Sequence, residues 1–101
     1  GGLVYTSGQI AINPASGQVE AEGIEAQTEQ VMKNLGAVLE SAGSSYDKAI
    51  KTTCFLQNME DFAEFNEVYA KYFTSKPARS CVQAGALPKG GLFEMEVIAV
   101  K

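Results

Sequence analysis

Two runs near the end of the chain carry the side chains best suited to chemistry. Pro77-Ala78-Arg79-Ser80-Cys81-Val82 sets an arginine directly after Pro-Ala at the start of a β-prone run, so stiff backbone aims its guanidinium. A guanidinium held in this way is suited to gripping a carboxylate in a planar two-bond fork. The closing run Leu92-Phe93-Glu94-Met95-Glu96-Val97-Ile98-Ala99-Val100 alternates strictly. One face reads Leu92, Glu94, Glu96, Ile98 and the other Phe93, Met95, Val97, Ala99. Two carboxylates thus share a face that is apolar at both ends. A buried carboxylate costs several kcal/mol unless paired or solvated, so such a face borders a cleft, a subunit interface or a cation. The competing reading is the wet face of an antiparallel sheet for Glu94 and Glu96, and a surface salt bridge for Arg79.

Composition narrows the chemistry. Histidine is absent, which removes the usual general base and the usual transition-metal ligand together. Cys54 and Cys81 are the only cysteines and form no C-x-x-C pair, so neither a disulfide scaffold nor a zinc site is expected, and a cytoplasmic location fits. The formal charge of −4 and the lack of any Lys/Arg cluster argue against nucleic acid as the main ligand. No stretch approaches the ~20 apolar residues of a membrane span. At 101 residues, with 46% hydrophobic and 20% charged residues, the chain is one folded domain, small enough that oligomerisation is expected. It begins at Gly1-Gly2 without a methionine and runs straight into a strand pattern, which reads as a trimmed N-terminus.

The elements that must position these residues follow in order. Residues 3–10 read as a strand, with Gly8 marking a bulge or a close approach by another group. Asn13-Pro14-Ala15-Ser16-Gly17 forms a turn, and a short return strand covers residues 18–20. From Ile24 to Ala42, Val31, Leu35, Val38 and Ala42 fall at helical spacing, widened by Ile24, Met32 and Leu39, and Gly43 stops the helix. Glu25, Gln27, Glu29, Gln30 and Lys33 read as its solvated face. Residues 49–56 form a strand, with Cys54 as a small core residue. Asn58 or Asp61 caps a second helix, the latter in capping-box spacing with Glu64. Its aromatic stripe of Phe62, Phe65, Tyr69, Tyr72 and Phe73 reads as core, with Asn66 and Tyr69 best able to present polar tips to a site. Strands over 79–83 and the closing run follow. The resulting β-β-α-β-α-β-β order is α+β, with two helices on one face of a mixed sheet. The other face has no helix left to cover it and predicts a neighbouring subunit.

Blocks along the whole chain resemble the RidA (YjgF) family of enamine/imine deaminases. They are Ser7-Gly8-Gln9-Ile10, Gln27-Thr28-Glu29-Gln30 with Lys33-Asn34-Leu35, Lys51-Thr52-Thr53, Asp61-Phe62 with Asn66 and Tyr69, Pro77-Ala78-Arg79-Ser80, Leu87-Pro88 and Glu94-Met95-Glu96. The resemblance implies a single RidA-like domain over residues 1–101 with a chorismate-mutase-like fold, and a homotrimer with a central barrel of sheets and active sites between subunits. It further implies hydrolysis of 2-iminobutanoate and 2-iminopropanoate to 2-oxoacids and ammonia, with no metal and no organic cofactor. The family's carboxylate-gripping arginine falls on Arg79, its water-positioning glutamate on Glu94, and the cysteine whose backbone lines the site on Cys81. Ser7, Gly8 and Asn66 take the remaining substrate-binding positions. Family members usually start well upstream with a Gly-Pro-Tyr-Ser-Gln-Ala type segment that supplies a first strand, so the resemblance implies that this N-terminal strand is missing here.

Two other functions compete. A trimeric module that binds or senses a small carboxylate without turnover would share Arg79, although a second negative charge at Glu94 would not help it hold an anion. Ribonuclease activity, attributed to some relatives, is disfavoured by the net charge and the missing histidines.

Overall fold

A run that alternates apolar and polar residues must bury one face of a strand, and the end of the chain does so. In the computed structural model, which describes residues 2–101, β6 (Phe93–Val100) buries Phe93, Met95, Val97 and Ala99 and turns Glu94, Glu96 and Ile98 the other way. It lies between β1 (Leu3–Tyr5) and β4 (Ala49–Leu56), antiparallel to both, and β4 pairs in parallel with β5 (Ala78–Gln83) to complete a sheet of order β1-β6-β4-β5. A separate two-stranded ribbon joins β2 (Ile12–Asn13) to β3 (Gln18–Val19).

Helix α1 (Ile24–Ser41) buries Ile24, Val31, Met32, Leu35 and Leu39, as its spacing predicts. It ends where Gly43 takes φ +82° and the Ser44 amide reaches back to the Leu39 carbonyl at 2.8 Å. Helix α2 (Phe62–Tyr72) links the two parallel strands and packs on α1. Both helices share one core with Cys54, Leu56, Phe93, Met95 and Val97. The opposite sheet face leaves Leu3, Tyr5, Val82 and Val100 exposed, Tyr5 by 69%. No helix among the described residues is long and apolar enough to cross a membrane.

Three expectations are corrected. The single strand over residues 3–10 is broken, and the hairpin partner of the return strand is β2. Tyr5 pairs with Ile98 but Gln9 bridges Met95, so four steps on one side match three on the other, and the additional residue forms a bulge beside Gly8. Thr6 covers the gap by accepting the Val97 amide on its hydroxyl at 2.9 Å. On α2, Asp61 makes no side-chain cap; its backbone is already turned, and Asn58 caps the preceding 3-10 turn through the Glu60 amide at 2.8 Å. Gln27 is not solvated: it occupies the apolar stripe of α1 and is buried.

Candidate functional site

Pairing of Arg79 with Thr52 across the parallel strands puts the arginine on the helix-covered face, at the edge of the sheet and under α2. Its Nη1 donates to Asn66 Oδ1 at 2.7 Å. Its Cζ lies 4.6 Å from the ring centroid of Tyr69, 5.4 Å from that of Phe62 and 5.9 Å from that of Phe65. Aromatic faces attract a cation without neutralising it. Among the described residues the one ion pair joins Lys71 to Glu29 at 3.6 Å, so the charge on Arg79 has no carboxylate partner. Asn66 takes one N–H and leaves the rest of the fork free. A hollow of about 470 Å³ opens beside it, lined by Asn66, Tyr69, Phe73, Lys76, Pro77 and Arg79 among others.

Tyr69 is fixed from below, since its hydroxyl and that of buried Thr52 are 2.7 Å apart. Burial holds the Tyr69 phenol above its ordinary pKa. Cys81 projects from the same face two residues beyond Arg79, in register with Cys54. Burial raises its thiol against the opposing pull of the Arg79 charge, and burial, aided by Cys81, pushes the Cys54 thiol up to about 12. Both thiols are protonated at neutral pH, so what Cys81 can offer is its backbone and a neutral S–H.

Glu94 belongs to a different place. It pairs with Phe55 on β4, three positions along from Thr52 and therefore on the uncovered face. There its carboxylate lies over Gly8: a Cβ built on that residue would overlap one carboxylate oxygen and lie 2.9 Å from Glu94 Cδ. The bulge brings Gly8 this close, and the Gln9 and Met95 backbones exchange hydrogen bonds of 2.8 and 3.0 Å beside it. Ser7 is exposed next to Gly8, and its carbonyl accepts from Gln9 Nε2 at 3.4 Å.

The six residues expected at a site therefore form two groups. Arg79, Asn66 and Cys81 sit together under α2, and Glu94, Gly8 and Ser7 sit together at the bulge. One chain does not join them, because the two groups lie on opposite faces of the sheet. Thr52 and the rings of Phe62 and Phe65 complete the setting of Arg79. Phe62 and Phe65 were legible only as core, and a lone Thr in a β-prone run gives no signal of its partner across the layer.

Known proteins give the arrangement a context. The family model described as Endoribonuclease L-PSP matches residues 1–101. A Lactococcus lactis protein provisionally named regulator AldR is 56% identical over 99 residues, covering 97% of this chain and 79% of that protein. A Mus musculus protein named 2-iminobutanoate/2-iminopropanoate deaminase is 43% identical over 99 residues, covering 97% of this chain and 73% of that one. Among solved structures, Escherichia coli TdcF with bound serine superposes with a TM-score of 0.92 at 40% identity, covering all of this chain and 82% of the other.

Proposed function

Because the chain belongs to the endoribonuclease L-PSP (RidA/YjgF) family, we propose that it hydrolyses small 2-imino acids such as 2-iminobutanoate and 2-iminopropanoate to 2-oxoacids and ammonia, in sites completed between subunits. The observation that carries this reading is the Arg79 guanidinium, held by Asn66 over aromatic rings and lacking a carboxylate partner among the described residues. It needs an anion, and a 2-imino acid supplies one next to an electrophilic carbon. The Mus musculus relative's name and the serine in the TdcF structure support an amino-acid-like ligand.

The chemistry asks for alignment more than for strong acid or base. Arg79 grips the carboxylate and leaves the C=N bond beyond it. Glu94, brought by a neighbouring chain, accepts a hydrogen bond from one water and takes its proton as the oxygen attacks carbon. The same carboxyl returns that proton to nitrogen, giving a carbinolamine, and then carries the proton of the new hydroxyl to nitrogen as the C–N bond breaks, so that ammonia leaves and the hydroxyl oxygen becomes the C=O of the 2-oxoacid. Backbone groups at Gly8 and Cys81 orient water and imine, and glycine leaves room for that approach.

Assembly supplies the convergence that one chain lacks. The uncovered sheet face, with Leu3, Tyr5, Val82 and Val100 exposed, buries itself against two further copies in a closed trimer. Mixing tests site and assembly together. Arg79→Ala and Glu94→Gln chains are each inactive; co-refolded in equal amounts, they regain about a quarter of wild-type activity, the share of sites pairing an intact arginine with an intact glutamate from the next chain. An imine-hydrolysis assay coupled to an amino-acid oxidase reads this, with light scattering for the mass. No recovery in correctly assembled mixtures refutes the shared site.

The name of the Lactococcus lactis relative favours a second reading, a regulatory module that binds the same carboxylate without turnover. Binding of a 2-oxoacid by a wild-type protein that leaves the imine's lifetime unchanged would establish it.

A further inference from the structure

Helix α1 carries two amide side chains whose placement the proposed chemistry has not used. Gln27 and Asn34 are seven residues apart, so they lie on one helix face about 10 Å from each other along the axis. Asn34 Nδ2 donates to the carbonyl of Ile12 at 2.8 Å and to that of Ile10 at 3.3 Å, while its Oδ1 accepts from Gln30 Nε2 at 2.9 Å, which fixes the direction of the amide. Gln27 Oε1 accepts the Leu92 amide at 2.8 Å, and its Nε2 donates to the Ala21 carbonyl at 3.1 Å. Ile10 lies two residues after Gly8, and Leu92 lies two residues before Glu94. One rigid helix thus holds both backbone runs between which the Glu94 carboxylate meets Gly8.

We infer that Gln27 and Asn34 are positioning residues that set where the Glu94 carboxylate stands relative to Gly8, an inference that rests on the deaminase reading above. Apolar packing alone would not demand them. Gln27 is 6% exposed in an otherwise apolar stripe, where a methionine of similar length would pack without needing partners. A hydrogen bond to a named backbone group fixes register and direction, which packing leaves loose. Other backbone hydrogen bonds act on the same runs, since Gln9 and Met95 exchange two and the Leu92 carbonyl accepts the Gln57 amide at 3.0 Å. The two side-chain amides fix what these leave free in stretches that contain one isolated bridge (residues 6–11) and a single 3-10 turn (residues 84–92).

The test separates positioning from general stability. Asn34→Leu and Gln27→Met remove the anchors. Gln27→Glu keeps the acceptor for the Leu92 amide and, with its buried carboxyl protonated, a donor for the Ala21 carbonyl. Thr28→Val removes a hydroxyl that donates to the Ile24 carbonyl at 2.7 Å on the same helix and reaches neither run. A displacement of the order of 1 Å can cost about a hundredfold in turnover, so Asn34→Leu and Gln27→Met are expected to lower kcat by about 10–100-fold with KM within about twofold, because Arg79 and Asn66 are untouched. Gln27→Glu and Thr28→Val keep kcat within about threefold of wild type.

If Asn34→Leu does not fold, the Gln27→Met and Gln27→Glu pair decides. Wild-type kcat in Gln27→Met, or an equal fall in Thr28→Val, overturns the inference. An inactive wild-type protein overturns the deaminase reading instead. The inference then stands or falls on amide exchange, which must be at least about tenfold faster at Leu92 and Met95 in Gln27→Met than in Thr28→Val.

Discussion

Replacing Gly8 by alanine adds one methyl group where the structure leaves room for none. The new Cβ overlaps a carboxylate oxygen of Glu94 and lies 2.9 Å from its Cδ and 3.2 Å from its Cγ. Ordinary carbon contacts are about 3.5–4.0 Å, so the Glu94 carboxyl must withdraw by roughly 1 Å. The fold tolerates this well, because the displaced atoms end a flexible side chain at a half-exposed position. Gly8 is also not among the residues with positive φ, so alanine meets no backbone strain. Fewer unfolded conformations even favour alanine by about 0.4–1 kcal/mol. Stability should therefore stay within about 1 kcal/mol of wild type, and Tm within several degrees. Turnover should not: if Glu94 positions the water as proposed, moving its carboxylate by this distance costs on the order of a hundredfold in kcat. KM should change little, because the carboxylate grip proposed for Arg79 belongs to the other face. Steady-state kinetics on an oxidase-generated imine, beside a thermal melt, reads both quantities. Wild-type kcat in a folded Gly8→Ala protein would refute the role given to Glu94 at this spot.

Two further outcomes follow from the same geometry. Arg79→Lys keeps the charge but loses the planar fork and the Asn66 contact, and should raise KM for 2-iminobutanoate by about 10–100-fold while the protein stays folded; an unchanged KM would remove the fork from the binding step. Alkaline stability should report the buried thiol. The Cys54 pKa is raised from 9.0 to about 12, so below pH 9 both folded and unfolded chains hold the proton and the stability is fully present. Between pH 9 and about 12 the unfolded chain releases the proton and the folded one retains it, and stability falls by a few kcal/mol at most. The denaturant midpoint should fall with pH across this range in the wild type and fall by less in Cys54→Ala, where the phenols of Tyr46, Tyr69 and Tyr72, also raised by burial, account for the remaining fall.

Local patterns made much of this legible. The alternation of β6, the stripe of α1 with its Gly43 stop, and the uncovered sheet face are consequences of burying apolar residues at periods of 2 and 3.6. Gly8 announced a bulge or a close approach, and it provides both, because a residue without Cβ is what lets the Glu94 carboxyl settle there. The solvated position that the sequence suggests for Gln27 has a physical source. Its polarity outweighed its position, although positions 24, 27, 28, 31, 34 and 35 of α1 trace the inward face and a polar residue on that face must have partners. Those partners, the Leu92 amide and the Ala21 carbonyl, are brought close by tertiary structure, which no window of sequence contains. The break in the first strand is likewise tertiary, since a one-residue mismatch exists only once both strands are paired.

The separation of Arg79 from Glu94 has a physical rationale of its own. An arginine next to a glutamate in one chain would pair with it, and the resulting ion pair would have to be broken before a substrate carboxylate could enter. Holding the guanidinium on aromatic faces and an amide oxygen keeps it oriented and unneutralised, and holding the carboxylate over Gly8 on the opposite face keeps it out of reach. In the proposed assembly the two meet only across a subunit boundary. A substrate carboxylate then fills the gap on the cationic side while water occupies the acidic side. On this basis dilution below the assembly threshold should abolish catalysis while leaving each chain's Arg79 and Asn66 geometry intact. Activity that remains proportional to concentration through a complete dissociation to monomers would show that one chain suffices and would remove the reason for the separation.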